Sequence, residues 1–193
     1  MPAAIFLDRD GVINPSVYRT GSKEWDSPLT PEEFEPFPFT METLKRFQAA
    51  GLLLFLVSNQ PAYAKAKTSL EQLRAIHEKF QTILFQNQVS LAEVYYCYHH
   101  PKGVTAGYSG SCVCRKPSPY FLKQAQKKFG LDLSKSWMIG DRDADILCGR
   151  GAFVRTVRIT SPETADLKFR IEGDYTAQDL REAANIILGG GAK

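Results

Sequence analysis

The sequence predicts an α/β fold, in which a doubly wound, Rossmann-like and mostly parallel sheet carries helices on both faces. Short, continuous apolar runs recur along the chain, and such runs are typical of strands that are buried on both faces. Amphipathic helical patterns separate these runs, which is the alternation that builds a parallel sheet. Neither an internal repeat nor a linker-like stretch divides the 193 residues. We therefore expect one domain that covers residues 1–193.

Strands and helices are predicted in alternation. The predicted strands are Ala3–Leu7, Leu52–Val57, Glu93–Tyr98, Trp137–Gly140 and Phe153–Ile159. The predicted helices cover residues 40–51, 69–83, 118–130, 143–150 and 180–188. Thr40 and Ser69 are the expected N-caps of the first two helices, because a hydroxyl can satisfy the free N–H groups of a first turn. Gly130 is expected to end the third helix, and residues 189–193 to form a flexible tail.

Composition and charge narrow the class of protein. Apolar residues make up 44% and charged residues 23% of the chain, as in ordinary globular proteins. The formal charge of +3 is too small to indicate a nucleic-acid partner, although it does not disfavour an anionic substrate. No apolar run approaches the roughly 20 residues of a membrane span, and no basic leader precedes the first strand. We expect a monomeric, cytoplasmic protein with no membrane and no nucleic-acid partner.

Two aspartates, Asp8 and Asp10, follow the first predicted strand directly. Parallel strands present their chemistry at their carboxyl ends, and residues i and i+2 of an extended segment point the same way. Two carboxylates in this position repel each other, so a nearby cation, or a proton on one of them, is expected. The long segment 14–39 leaves the strand beside them and can cover the site, because loops of this length are usually functional.

Other strand ends carry polar residues that suit phosphate chemistry. Ser58 and Asn59 follow the second strand, Asp141 follows Trp137–Gly140, and Arg115 and Lys116 lie on a nearby loop. A carboxylate can attack phosphorus and form an aspartyl-phosphate. Mg²⁺ held by carboxylates lets such an anionic nucleophile approach an anionic substrate. Lysine stabilises the charge of the transition state.

Four ordered segments resemble the motifs of the haloacid dehalogenase superfamily. They are Asp-Arg-Asp-Gly-Val-Ile-Asn at 8–14, Ser-Asn-Gln at 58–60, Arg-Lys-Pro at 115–117 and Gly-Asp-Arg-Asp-Ala-Asp at 140–145. The resemblance implies that Asp8 is the nucleophile and that Asp10 is first the general acid and then the general base. The sequence leaves the protonation state of Asp10 open, since burial raises an aspartate pKa and Mg²⁺ lowers it.

The same resemblance implies the roles of the remaining residues. Mg²⁺ would take the side chains of Asp8 and Asp141 and the backbone carbonyl of Asp10. Ser58 would donate to the phosphoryl group, and Lys116 would bridge Asp8 and the phosphate. Asp145 either orients Lys116 or a Mg²⁺-bound water, or is a capping acid.

A second cluster of possible metal ligands lies in the loop 97–117. Three thiols and a histidine fall within eighteen residues and can supply a tetrahedral Zn²⁺ site: Cys97, His99 or His100, Cys112 and Cys114. The loop between them has no apolar periodicity, so a metal would staple it. The alternative is that these cysteines are buried or idle. Cys148 lies on a helical pattern and is expected to be a core residue.

The cysteine loop resembles that of the D-glycero-D-manno-heptose-1,7-bisphosphate 7-phosphatase and histidinol-phosphate phosphatase group. This resemblance implies the absence of a large cap domain and a structural zinc held by Cys97, His99, Cys112 and Cys114. The zinc would position the loop that presents Arg115 and Lys116. Arg115 would read the substrate with its guanidinium fork, unless it is an ordinary surface cation. Asn59 and Arg142 are further candidate substrate contacts.

Two stretches depart from this group. Residues 61–67 read Pro-Ala-Tyr-Ala-Lys-Ala-Lys where those enzymes carry a glycine-containing turn with an arginine. Segment 14–39 is longer than usual and contains Trp25, Phe34, Phe37 and Phe39, which either line a pocket or, as we favour, pack the loop down.

The leading hypothesis is a Mg²⁺-dependent phosphomonoesterase that acts on a small phosphorylated sugar, a heptose bisphosphate. The alternatives are a histidinol-phosphate phosphatase, a phosphatase of another small metabolite, and an inactive zinc-stapled binding domain. A polynucleotide 3′-phosphatase is disfavoured, because the chain lacks a basic patch with interleaved aromatic residues.

Overall fold

The computed structural model describes residues 1–160 and 171–190. The strands are β1 (Ala4–Leu7), β2 (Val17–Arg19), β3 (Glu24–Asp26), β4 (Leu53–Asn59), β5 (Glu93–Cys97), β6 (Trp137–Gly140), β7 (Arg155–Ile159) and β8 (Tyr175–Ala177). The helices are α1 (Thr40–Ala49), α2 (Leu70–Gln86), α3 (Tyr120–Phe129), α4 (Asp143–Gly151) and α5 (Leu180–Leu188). Two short 3₁₀ turns cover Pro31–Glu33 and Leu133–Lys135.

Six of the strands form one parallel sheet in the order β5-β4-β1-β6-β7-β8. The chain runs outward from β1 through β4 to β5 and then returns to the other side of β1. The strand order therefore reverses beside β1, which is where ligands bind in open α/β sheets. The remaining strands, β2 and β3, form a separate antiparallel hairpin.

Alternate residues of β1 bury into two hydrophobic cores, one on each face of the sheet. Ile5 and Leu7 face a core that also takes residues of α1, α2 and α5. Ala4 and Phe6 face the opposite core, which takes residues of α3 and α4. Since successive side chains of a strand point to opposite faces, a fully apolar β1 requires helices on both faces. The predicted doubly wound α/β fold is confirmed.

Most predicted elements agree with the structure, and the differences lie at their ends. Strand β4 extends through Ser58 and Asn59, which were expected to follow it. The edge strand β8 and the hairpin β2–β3 were not predicted, because runs of three residues are too short to show a period. Cys148 is buried in the core, as expected. Of the predicted flexible tail, residues 191–193 lie outside the described part of the chain.

The helix caps were predicted correctly at two of three positions. Ser69 accepts a hydrogen bond from the Gln72 amide at 3.2 Å, and Gly130 ends α3 in the left-handed conformation. Thr40 was wrongly predicted as an N-cap. It lies in the first turn of α1, and its buried hydroxyl donates to the carbonyl of Ile13 at 3.0 Å. The hydroxyl thus ties α1 to the segment that leaves β1.

The inserted segment 14–39 is ordered largely by its aromatic residues. Phe34 is fully buried against Phe80 of α2, with ring centroids 5.5 Å apart, and Phe37 stacks on Phe39 at 5.4 Å. Packing was therefore the right interpretation for these three rings. Trp25 behaves differently, since 45% of it is exposed.

Within residues 1–160 and 171–190, none of the helices combines the length and apolar character that crossing a membrane requires. The described residues also form no large cap domain over the sheet, as expected.

Replacing Thr40 by Val should lower the free energy of unfolding by about 1 kcal/mol, because it removes one buried hydrogen bond at nearly constant volume. Thr82→Val is the matched control, since the Thr82 hydroxyl bonds a carbonyl on an exposed helix surface, and we expect a change within about 0.5 kcal/mol. Urea unfolding measures both. Equal urea midpoints for the two variants would contradict a stabilising hydrogen bond between Thr40 and Ile13.

Candidate active site

The carboxyl ends of β1, β4 and β6 open into a cavity of about 330 Å³. Asp8 and Asp10 follow β1 and Asp141 follows β6, and all three line the cavity. Lys65, Arg115 and Arg142 line it as well. The predicted convergence of these strand ends on one crevice is thus observed.

Asp8 is buried beside the ammonium group of Lys116. The Lys116 Nζ lies 3.0 Å from Asp8 Oδ1 and 2.6 Å from Asp145 Oδ1, and it donates to the Val57 carbonyl at 2.7 Å. Burial lowers the pKa of Lys116, but the two carboxylates outweigh it and raise that pKa above its usual value. Lys116 therefore stays charged although it is buried.

Burial, helped by the nearby carboxylates of Asp145 and Asp10, raises the pKa of Asp8 to about 6 despite the opposing charge of Lys116. Burial and the charges of Asp145 and Asp8 likewise raise the pKa of Asp141 well above its usual value. Both carboxyl groups thus ionise less readily than ordinary aspartates, and a further positive charge close by would stabilise their ionised forms.

The carboxylates of Asp8, Asp141 and Asp145 form a cluster that fits a hard divalent cation. One oxygen of each lies within 4.8 Å of the others. The buried Asp141 Oδ1 has no hydrogen-bond partner among the described residues. An unpaired buried carboxylate oxygen is costly, and Mg²⁺ prefers such ligands. The residues present therefore fit the expected magnesium site.

Asp145 makes the contacts of two of the three alternatives that the sequence left open. Its Oδ1 pairs with Lys116, and its Oδ2 accepts a hydrogen bond from the Arg142 amide at 3.0 Å, where α4 begins. It is a capping acid that also orients the lysine.

Asp10 is held by donors on both of its oxygens. Oδ1 accepts from Arg9 Nε and Asn14 Nδ2, each at 3.0 Å, and Oδ2 accepts from Gln60 Nε2 at 2.7 Å and Ser27 Oγ at 2.8 Å. Burial raises the pKa of Asp10, but the charge and hydrogen bonds of Arg9, with those of Gln60 and Asn14, bring it below its ordinary value. These contacts favour the carboxylate form of Asp10.

Ser58 and Asn59 reach the site from the end of β4. The Ser58 hydroxyl hydrogen bonds the Asp8 carboxylate and receives a 3.1 Å bond from Gln60 Nε2. The Asn59 amide pairs with the backbone of Lys116 in both directions, at 3.0 and 3.1 Å. Asn59 thereby fixes the loop that delivers the lysine, while its expected contact with substrate stays a prediction.

The cysteine loop brings its expected ligands together. The Sγ–Sγ distances among Cys97, Cys112 and Cys114 are 3.3–3.6 Å, and His99 Nδ1 lies 3.7 Å from Cys114 Sγ and 3.9 Å from Cys97 Sγ. Zn–S bonds of about 2.3 Å in a tetrahedron require edges of roughly 3.8 Å, so the four side chains fit zinc. His100 lies outside the cluster, and its Nδ1 accepts from the Lys102 amide.

This cluster is joined to the cavity by one hydrogen bond. The Arg115 guanidinium donates to the carbonyl of His99 at 3.0 Å and lines the cavity. Across the cavity, Trp25 and Asp26 of the hairpin form part of the wall, and Asp26 Oδ2 pairs with Lys67 Nζ at 2.5 Å. Arg142 Nε lies 3.0 Å from Asp141 Oδ2.

Several residues of the site were not singled out from the sequence. Arg9 is buried and links Asp10 to Gln60 and Tyr96. The sequence offered a signal for each of these two residues. Arg9 lies between Asp8 and Asp10, and Gln60 lies two residues after Ser58. Nothing local marked Ser27, because its position depends on how the hairpin folds back over β1.

Comparison with known proteins agrees with this geometry. A family model described as "HAD-hyrolase-like" matches residues 113–183. The family model indicates a HAD-like hydrolase, and the relatives that match nearly the whole chain are phosphatases. The protein is therefore a phosphatase of the haloacid dehalogenase (HAD) superfamily.

Relatives that match most of the chain indicate a narrower family within this superfamily. The D-glycero-beta-D-manno-heptose-1,7-bisphosphate 7-phosphatase of Pasteurella multocida is 34% identical over 98% of both chains. A D-glycero-alpha-D-manno-heptose-1,7-bisphosphate 7-phosphatase of Photorhabdus laumondii is 33% identical over 76% of both. The crystal structure of the D,D-heptose 1,7-bisphosphate phosphatase of B. bronchiseptica, complexed with magnesium and phosphate, has a TM-score of 0.77 and 25% identity, over 97% of this chain and 98% of that one. The chain belongs to the heptose-1,7-bisphosphate 7-phosphatase family of the HAD superfamily.

Replacing Gly11 by Ala should reduce activity on an aryl phosphate by more than about tenfold. Gly11 has φ +82°, and a Cβ there would lie 2.6 Å from Asp141 Oδ2, so the substitution displaces a carboxylate of the site. Gly130→Ala is the control, because Gly130 also has a positive φ (+62°) but open space around it. It should cost roughly 1–2 kcal/mol of stability and no activity. Similar activities of the two variants would contradict this placement of Asp141.

Proposed function

We propose that the protein is a Mg²⁺-dependent phosphatase that removes the 7-phosphate of a D-glycero-D-manno-heptose 1,7-bisphosphate. One observation carries the proposal: Asp8 lies beside a buried lysine at the floor of a cavity whose wall holds Lys65, Arg115 and Arg142. The floor suits transfer of one phosphoryl group, and the cations suit a second anionic group on the same substrate. Relatives of similar length that are named for this substrate support the choice.

The chain's own residues provide the steps of hydrolysis. After Asp10 has taken up a proton from solvent, an oxygen of Asp8 attacks phosphorus while Asp10 gives this proton to the leaving sugar oxygen, which produces an aspartyl-phosphate and the free alcohol. Water then attacks this phosphorus and gives a proton to Asp10, which restores Asp8 and releases phosphate. Lys116 and Ser58 hold Asp8 in place and would donate to the oxygens of the phosphoryl group that Asp8 attacks. Lys116 thereby stabilises the charge that develops there.

Magnesium would be held by the side chains of Asp8 and Asp141 and by the backbone carbonyl of Asp10. When bound, it would stabilise the ionised forms of Asp8 and Asp141, whose pKa values burial and the neighbouring carboxylates raise, and would let an anionic nucleophile meet an anionic substrate. The unpaired Asp141 Oδ1 supports this assignment.

The cations of the cavity wall favour a bisphosphate over histidinol phosphate. Histidinol phosphate carries an ammonium group, which Lys65 and Arg115 would repel, whereas a second phosphate would pair with them. Asp26 also lines the cavity, but Lys67 already offsets its charge. Arg115 is the proposed reader of the distal phosphate or hydroxyls, and Arg142 and Asn59 are further contacts. An inactive binding domain is disfavoured, because Asp8, Asp10, Lys116 and Asp141 are all present around one cavity.

A panel of substrates tests the proposal. We expect the kcat/KM for heptose 1,7-bisphosphate to exceed that for histidinol phosphate by about a hundredfold or more. Both anomers of the bisphosphate belong in the panel, because relatives are named for each.

Asp8→Asn should abolish phosphate release, whereas Asp132→Asn, away from the cavity, should retain it. Turnover by Asp8→Asn would refute the nucleophile, and a preference for histidinol phosphate would refute the substrate.

The four ligands of the cysteine loop are proposed to hold a structural zinc ion, Zn²⁺. Burial and the neighbouring thiols raise the pKa of Cys97, and a metal ion would offset this by stabilising the thiolate. Because His99 supplies both a ring nitrogen to the cluster and its carbonyl to Arg115, the zinc would position the guanidinium. A reducing compartment such as the cytoplasm would keep these thiols available.

Purified protein should contain about one equivalent of zinc. Cys114→Ser should lose it and show a larger rise of KM for the heptose bisphosphate than for an aryl phosphate, since Arg115 loses its support. Cys148→Ala is the control, because Cys148 is buried away from the cluster, and it should retain the metal. Zinc analysis and steady-state kinetics measure these effects. Wild-type protein without zinc would overturn the assignment.

A further inference from the structure

One side chain of the inserted hairpin reaches the reaction centre. Ser27 directly follows β3, lines the cavity, and donates from its hydroxyl to Asp10 Oδ2 at 2.8 Å. Its backbone is held independently of that bond. The Ser27 carbonyl accepts from Arg19 at 3.1 Å, and its amide donates to Asp26 Oδ1 at 3.0 Å. Removing the hydroxyl therefore leaves the chain in place.

Among the partners that the described residues give Asp10, Ser27 alone can both donate and accept. Arg9, Asn14 and Gln60 contribute guanidinium and amide N–H groups, which only donate. The Asn14 amide is fixed in this orientation, because its Nδ2 also donates to the Pro15 carbonyl at 2.8 Å. The Gln60 amide cannot turn its oxygen to Asp10, because that oxygen already accepts from Arg9 at 2.8 Å. A hydroxyl can reverse its role by rotation.

This difference matters when Asp10 carries the proton for the leaving alcohol, a step that rests on the proposed function. A proton on Oδ1 would face the N–H groups of Arg9 and Asn14 and find no acceptor. A proton on Oδ2 can be shared with the Ser27 hydroxyl, which lies on the cavity side. We infer that Ser27 is a positioning residue that keeps the transferable proton of Asp10 on Oδ2, facing the substrate.

The step balances in protons and electron pairs. As Asp8 bonds to phosphorus, the bond from phosphorus to the sugar oxygen breaks, and that oxygen keeps the electron pair and takes the proton from Asp10 Oδ2. The Ser27 hydroxyl then rotates to donate to the carboxylate, which is the arrangement of the structure. In hydrolysis, the attacking water returns a proton to the same oxygen while the bond between phosphorus and Asp8 breaks.

The dependence on the leaving group provides the test. The 7-phosphate of heptose 1,7-bisphosphate is an alkyl ester whose alcohol needs a proton to leave, whereas p-nitrophenol leaves p-nitrophenyl phosphate readily without one. Ser27→Ala should lower kcat/KM by about tenfold or more for the sugar and by less than about threefold for the aryl ester. Ser27→Thr, which keeps the hydroxyl, should restore the ratio of the two values.

Lys67→Met is the matched control for the hairpin itself. It removes the Lys67–Asp26 pair, which holds the same hairpin without touching Asp10, so it should change both kcat/KM values by the same factor. Equal losses for Ser27→Ala on the two esters, or no loss on either, would overturn the inference. If the wild type hydrolyses the aryl ester but not the heptose bisphosphate, the proposed substrate alone fails. The ratio is then measured with the primary alkyl phosphate of the panel that reacts fastest.

Discussion

The ammonium group of Lys116 lies inside the edge of the sheet, between the carboxylates of Asp8 and Asp145. A buried ion pair of this kind adds little net stability, because desolvation offsets most of the attraction. Its removal, however, would leave buried carboxylates without a countercharge. Several elements hold this contact in place. Strand β1 positions Asp8, and β4 positions the Val57 carbonyl that also accepts from the lysine. Asn59 fixes the backbone of Lys116, and α4 presents Asp145.

Among the described residues, the carboxylates of the centre outnumber the cations that touch them. Asp8, Asp141 and Asp145 are buried around the buried Lys116, and the partly exposed Arg142 pairs with Asp141. Burial, together with repulsion between the carboxylates, raises the pKa values of Asp8 and Asp141. Asp10, only two residues from Asp8, has the opposite environment, since it faces Arg9 and several other donors. Two adjacent carboxylates therefore differ in the partner that each needs: a cation for Asp8 and a reversible hydrogen bond for Asp10.

The fold, and the convergence of the candidate site residues on one edge of the sheet, could be predicted from local sequence patterns. Apolar runs specify buried strands, and short polar motifs follow them directly, as with Asp8 after β1. The contribution of Ser27 and Trp25 could not be predicted, since it depends on how a hairpin of two three-residue strands folds back over the sheet. Thr40 shows the same limit: its hydroxyl was free to cap a helix, and a tertiary contact with Ile13 took it instead.

In the described part of the chain, the hairpin β2–β3 pairs with no strand of the six-stranded sheet. Its length and sequence can therefore change without shifting the register of β1, and the wall of the cavity can be remodelled while the carboxylates stay where they are. Evolution can therefore change this insertion without changing the residues that carry out the reaction. The Ser27–Asp10 contact limits that freedom, because a remodelled hairpin still has to bring a hydroxyl back to one oxygen atom.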